Sequence, residues 1–352
     1  MTNKSLPENT SRRQAVLPPS LPWKIRLNIW LIDAIASLAR RPNGTINRRL
    51  FSFFDPQASA NPNPVDGVRS TDLTFDPSRG LWLRLFTPAG EGSGRRPPVI
   101  VFFHGGGFVS LSPSSRSYDS LFRRICRSTG YAVVAPSYRL LPEHRFPEPY
   151  DDGLAALRFL ESADLDLDLS TIFIAGDSAG GNIAHHVALR WPSFAAASDA
   201  KARVRIAGII AIQPFFGGEE RTESEIRLSR APLVSLKVTD WTWKAFLPEG
   251  ADRNHEAAHV TAAAVGKGFP AAAMVVVGGY DPLQDWQRRY AETLRRAGKE
   301  VEVLEFPDTI HYFYAFEELG ESQKLLEEIK GFLHKYRFPK GVDDDDDDDD
   351  DE

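Results

Sequence analysis

The chain is poor in sulfur. Its 352 residues hold one cysteine, Cys126, and two methionines. An intramolecular disulfide is therefore impossible, which fits a reducing compartment. Cys126 lies in Phe122-Arg123-Arg124-Ile125-Cys126, a stretch of helical character. It is expected to be a small buried apolar residue rather than a reactive thiol. Long hydrophobic runs are also missing. The longest near the start, Leu27 to Leu38, is interrupted by Asn28 and Asp33. It is too short to span a bilayer. It follows the uncharged Leu17-Pro18-Pro19 and lies too far in to read as a secretory signal. Asn43-Gly44-Thr45 fits a glycosylation sequon, but without such a signal it reads as a turn. No stripe dense in lysine and arginine stands out, so nucleic acid is not an expected partner. Glycine (26) and proline (25) are too sparse for low complexity. The expectation is a soluble cytoplasmic protein with no membrane span, the nucleus being left open.

What is present is an ordinary globular composition, 42% hydrophobic and 26% charged, with enough chain for a large core. The net charge of −6 misleads. Asp343 to Asp351 are consecutive aspartates followed by Glu352, and without this tail the body is slightly basic. Residues 1–20 are polar and proline-bearing and are expected to be disordered, as is the acidic tail over 339–352. Trp23 to Arg40 reads as a helix, with Ile25, Ile29, Ile32, Ala36 and Ala39 near helical spacing. Residues 21–70 are expected to form an N-terminal helical lid, and 71–338 the main body.

From about residue 80 strand and helix patterns alternate. Strand-like runs occur at 81–86, 98–103, 132–135, 171–175, 205–212, 273–277 and 301–306. Helix patterns fall near 115–129, 150–162, 179–190, 284–297 and 320–337. Several runs are continuously apolar, which suits strands covered on both faces. The alternation predicts an α/β fold, a mostly parallel sheet flanked by helices. The segment 217–262 breaks the rhythm and could cap a pocket.

The chemical signal centres on Gly176-Asp177-Ser178-Ala179-Gly180. It follows the apolar Ile172-Phe173-Ile174-Ala175 and precedes a helical stretch. A strand–turn–helix of this kind presents a serine hydroxyl at the top of a sheet, and small neighbours let the chain turn. The second signal is His104-Gly105-Gly106-Gly107, directly after a buried strand pattern. Gly105 and Gly106 are expected to offer backbone N–H groups to a developing oxyanion, joined by Ala179. A weak serine nucleophile needs a base, and the base an orienting carboxylate. His185 and His186 lie two turns down the serine's own helix, His255 and His259 in the irregular segment, and His334 in the last helix. His311 follows the final strand after a short loop and is the expected base. Asp281 ends the preceding strand and is the expected acid, with Asp285 as runner-up.

These residues together resemble the plant carboxylesterases of the hormone-sensitive-lipase group of α/β-hydrolases. The resemblance spans roughly residues 20 to 337 and also rests on Tyr138-Arg139-Leu140, Pro142-Glu143-His144 and Tyr150-Asp151-Asp152-Gly153. The segments 40–48, 216–225 and 243–250 are similar to the related gibberellin receptors, which lost esterase activity. Three departures separate the chain from those receptors. Gly107 stands where they carry serine, Val238-Thr239-Asp240-Trp241-Thr242-Trp243 replaces an Asp-Arg-Asp-Trp-Tyr-Trp run, and His311 is present where they carry an aliphatic residue.

The expected activity is carboxylic ester hydrolysis by a Ser178–Asp281–His311 triad with an oxyanion hole. It should weaken as the imidazole protonates, since a protonated ring cannot accept the serine proton. No metal or organic cofactor is required by this chemistry. The N-terminal helix and the 217–262 segment, rich in Trp23, Trp30, Phe51, Trp241 and Trp243, are expected to cover the pocket and to suit a small ester with an apolar group, while core packing accounts for these aromatics equally well. A hormone-binding protein without turnover, and a lipase, deacetylase or dehydratase using the same site, are the rival readings.

Overall fold

The computed structural model describes residues 17–18, 20–41, 45–90, 96–197 and 203–337. Most of the expected loose N-terminus, most of the Asn43-Gly44-Thr45 turn and the acidic tail lie outside them.

An eight-stranded sheet forms the centre: β1 (Val68–Asp76), β2 (Leu81–Pro88), β3 (Pro98–Phe103), β4 (Ala132–Pro136), β5 (Asp168–Asp177), β6 (Ile206–Ile212), β7 (Ala272–Tyr280) and β8 (Glu300–Ile310). Their spatial order is β1-β2-β4-β3-β5-β6-β7-β8. β2 runs antiparallel to both its neighbours, β1 and β4, and the pairings from β4 through β8 are parallel. Every residue of β3 is buried. Val99, Val101 and Phe103 feed one core, while Ile100 and Phe102 feed the other. This two-sided burial is why the strand reads as a continuous apolar run.

Helices α4 (Glu148–Ser162), α5 (Ala179–Ala196) and α8 (Gln284–Arg296) supply the first core, through residues such as Leu157, Val187 and Leu294. Helices α1 (Trp23–Ala39), α3 (Arg116–Thr129) and α9 (Gly320–Tyr336) supply the second, through Ile29, Phe122 and Ile329. Cys126 is buried on α3, and desolvation pushes its thiol up to about 12, so it is an inert core residue as expected.

Three sequence expectations change here. β1 is an edge strand with alternating burial at its start and polar outward residues. That pattern hid it within the polar 41–80 stretch, and the lid boundary expected at residue 70 falls inside it. On α1, Ile32 stays 38% exposed and Ile35 is buried instead. Trp23 and Trp30 are 69% and 66% exposed and face outward rather than covering a pocket.

The N-terminal segment is pinned beside the glycine-rich loop. Arg48, on α2 (Arg48–Phe54), donates to Val109 O at 2.8 Å and to Leu141 O, and pairs with Glu143. Ser115 Oγ donates to Asp55 Oδ2 at 2.7 Å, and Leu233 N to Asp33 Oδ1 at 2.9 Å. The 217–262 segment is two helices, α6 (Glu223–Arg227) and α7 (Leu236–Phe246), with connecting turns. Thr222 and Glu225 form a capping box on α6. Trp286 Nε1 donates to Glu225 Oε2 at 3.0 Å, and Ser224 Oγ to Pro282 O at 2.8 Å, which ties α6 beside the end of β7.

Candidate active site

The residues singled out from sequence gather along the C-terminal edge of the parallel strands. Ser178 follows β5, Asp281 follows β7 and His311 follows β8. Between them, Gln213 follows β6. Its Nε2 donates to Ile310 O at 3.2 Å and its Oε1 accepts from Tyr312 N at 2.9 Å, so it clamps both backbone neighbours of His311.

Ser178 sits at φ 51°, ψ −120°, a conformation that costs a non-glycine residue energy. The turn survives because its neighbours lack side chains. A Cβ on Gly176 would overlap the carbonyl of Gly180, and one on Gly180 the carbonyl of Phe103. The N–H of Ser178 donates to Ile212 O at 2.9 Å, and its carbonyl accepts from Phe215 N at 2.9 Å. β6 thereby holds the strained turn in place, while α5 begins directly after the serine and aims its positive end there.

Asp281 is fully buried. Its Oδ1 accepts from Leu283 N at 2.9 Å, and its Oδ2 from Gln287 Nε2 at 2.8 Å and from His311 Nδ1 at 2.7 Å. Three donors fix the carboxylate, and the carboxylate fixes the imidazole with Nε2 as its free nitrogen. Asp285 is occupied elsewhere, its Oδ2 accepting from Ser224 N at 2.9 Å. Among the described residues no hydrogen bond joins Ser178 Oγ to His311. Both residues are nearly buried, at 7% and 5% exposure, yet neither Ser178 Oγ nor His311 Nε2 is a sealed partnerless atom, so both reach solvent.

The other histidines lie apart from this arrangement. His185 Nδ1 is 3.1 Å from Tyr290 Oη, and His186 stacks on Tyr150 at 4.5 Å. His255 Nδ1 accepts from Ala257 N. His104 opens the glycine-rich loop as a neutral brace. Desolvation lowers its ring to about 4, its Nδ1 donates to Gly105 O at 2.8 Å, and it stacks on Tyr138 at 4.3 Å.

One expectation for this loop is corrected. The N–H of Gly105 does not face an open site. It donates to Tyr118 Oη at 2.6 Å and to Asp177 Oδ1 at 3.0 Å. The N–H groups of Gly106, Gly107 and Ala179 have no acceptor among the described residues. Tyr118, Asp177, Gln213 and Tyr314 were missed from sequence. Only Asp177 carried a local signal, by standing inside the serine motif.

An open groove of about 500 Å³ between Phe216, His259, Trp286 and Tyr290 includes none of the three central residues. Its Arg288 and Arg289 are already paired with Glu305 and Glu220. Among the described residues no group of three or more His, Cys, Asp or Glu is placed to hold a metal ion, and no helix is long and apolar enough to cross a membrane.

Comparison with known proteins agrees with this frame. The family profile described as the alpha/beta hydrolase fold matches residues 100–315. The gibberellin receptor GID1C of Arabidopsis thaliana is 40% identical, covering 88% of this chain and 94% of its own. Carboxylesterase 20 of the same plant is 37% identical over 76% of this chain and 86% of its own. The solved structure of ester-hydrolase EH1AB1, from the metagenome of Lake Arreo, was determined with a bipyridine phosphonate derivative. It is 27% identical at a TM-score of 0.70, covering 90% of this chain and 98% of that one. The chain therefore belongs to the alpha/beta-hydrolase family, among relatives that include plant carboxylesterases and gibberellin receptors.

Proposed function

We propose that the protein is a serine carboxylesterase. The observation that carries this reading is the buried Asp281–His311 pair at 2.7 Å, which leaves Nε2 free on the edge where the strained Ser178 turn stands. A binding protein has no use for an oriented base. In the proposed mechanism His311 Nε2 takes the Ser178 proton as Oγ attacks the ester carbonyl. Asp281 keeps the productive tautomer and stabilises the imidazolium. With the Gly105 N–H already engaged, the oxyanion donors are assigned to Gly106, Gly107 and Ala179. His311 then protonates the leaving alcohol and activates the water that releases the acid. Removing one such donor should cost on the order of 100- to 1,000-fold in turnover.

An apolar acyl or alcohol group suits the aromatic surroundings. Phe108 stacks on Phe246 at 4.1 Å, and Phe215 stacks on Trp243 at 4.4 Å, next to the two loops that carry the proposed donors and nucleophile. The test is labelling by a fluorophosphonate together with hydrolysis of p-nitrophenyl acetate. Wild type should label once per chain and turn over, and Ser178→Ala should do neither. Labelling that persists in the alanine variant would remove Ser178 from the mechanism. The second reading, a hormone-binding protein, is favoured by the 40% identity to a gibberellin receptor. It would be supported by saturable gibberellin binding in a wild type that neither labels nor turns over.

A further inference from the structure

We propose that Asp177 is a positioning residue: as a buried anionic acceptor it locks the glycine-rich loop and the turn after His311 onto the strand that carries Ser178. This rests on the esterase reading and deepens it. Three chain segments converge on one carboxylate. Its Oδ1 accepts from Gly105 N at 3.0 Å. Its Oδ2 accepts from Tyr118 Oη at 2.7 Å and from Tyr314 Oη at 2.6 Å. Gly105 precedes the proposed oxyanion donors by one and two positions. Tyr314 sits three residues after His311, in the 3-10 turn Phe313–Ala315. Asp177 itself is bonded covalently to Ser178.

The carboxylate is 1% exposed, and the hydrogen bonds it accepts come from neutral donors, a backbone N–H and two tyrosine hydroxyls. Burying an unpaired carboxylate is costly unless several donors satisfy it. Here the donors come from the segments whose spacing sets the reaction geometry. Contact is close enough that a Cβ on Gly105 would press on Asp177 Oδ2. The titratable groups facing Asp177 are Tyr118 on α3, Tyr138 after β4, and His311, Tyr312 and Tyr314 after β8. Burial pushes the carboxyl up to about 6, and the tyrosine and Gly105 hydrogen bonds and the charge of His311 oppose that rise. A proton on Oδ2 would compete with both tyrosine hydroxyls. The clamp should therefore loosen as pH falls through about 6.

Asp177→Asn tests this, measured by p-nitrophenyl acetate kinetics from pH 5 to 9 and by fluorophosphonate labelling. Misplacing reacting groups by about 1 Å can cost roughly 100-fold, so kcat should fall by about that order with KM within about twofold. The acid limb of kcat should become shallower than in wild type, because the amide removes the carboxyl that takes up a proton there. Labelling should still reach one per chain, only more slowly. Tyr118→Phe and Tyr314→Phe should each lower kcat at unchanged KM, and should add little in the Asp177→Asn background. Wild-type kcat and an unaltered acid limb in Asp177→Asn would overturn the proposal. So would a kcat loss matched by an equal loss of labelled sites, which is a folding defect alone. Should Asp177→Asn not fold, the two phenylalanine variants decide, and wild-type kcat in both overturns it. A wild type that never labels sinks the esterase reading and this one with it. A labelled wild type with an indifferent Asp177→Asn sinks this one only.

Discussion

Asp281 and Asp285 are four positions apart, and spacing alone left both open as partner for the base. The structure gives each a different task. Asp281 holds His311 Nδ1 at 2.7 Å, and Asp285 holds Ser224 N at 2.9 Å. Asp281→Asn should preserve the packing but disturb the tautomer of His311, lowering kcat by about 10⁴-fold with little change in KM. Asp285→Asn should keep kcat within a few fold and show its effect in thermal melting, because it loosens α6. Equal kinetic losses in the two variants would contradict this division. Gly180 is a second residue whose role is set by approach. Gly180→Ala would drive a methyl group into the Phe103 carbonyl, so strand β3 or the serine turn must move. Denaturant unfolding should show a loss of more than about 2 kcal/mol, in the range of overpacked sites.

At the scale of elements, α1 is apolar nearly all round. Ile25, Ile29, Ile35 and Ala36 face the body, while Trp23, Leu27, Trp30, Leu31 and Leu38 stay exposed on the other side. The two faces should respond oppositely. Ile29→Ala removes a fully buried side chain and should cost about 2–5 kcal/mol by urea unfolding. Leu38 is 74% exposed, and Leu38→Ser should stay within about 0.5 kcal/mol. Similar losses at both would mean that the helix packs differently. The antiparallel edge is explained at the same scale. Arg84 on β2 is 2% exposed and is satisfied by Asp72 Oδ1 at 2.6 Å and Asp119 Oδ1 at 3.3 Å. Its burial is tolerable because β1 and α3 bring the carboxylates to it.

For the whole molecule, buried titratable groups set the response to acid. Desolvation lowers His104 to about 4, His185 to about 3, and His186 well below its usual value. Their contribution to stability is complete above about 6.5 and is lost as pH falls through their folded values. Asp177, raised by burial from 3.8 to about 6, acts in the opposite sense. Its contribution is present below the unfolded value and is lost as pH rises through about 6. On acidification, unfolding takes up protons on the three histidines and releases one from Asp177. Stability should therefore fall on acidification, the three histidines outweighing Asp177. Urea midpoints at pH 7.5, 6 and 5 would check this, and a flat series would mean that the histidines are not buried neutral.

What the sequence determined by itself was whatever local periodicity and local turn chemistry encode. Continuous apolar runs marked β3 to β7, because a strand buried on both faces has no polar side to show. The strand–Gly–x–Ser–x–Gly–helix order marked the turn at Ser178, because only glycine tolerates those carbonyl contacts. The order serine, acid, histidine along the chain pointed to Asp281 and His311 as the partners expected for Ser178. The tertiary structure decided everything that depends on segments far apart. It made β1 an edge strand despite its polar composition, turned Trp23 and Trp30 outward, and folded 217–262 against α8. It also committed the Gly105 N–H to Asp177 and Tyr118. No periodicity could reveal that last fact, since the donor and its acceptors come from positions 105, 118 and 177, and a hydrogen bond depends on distance in space rather than on separation along the chain.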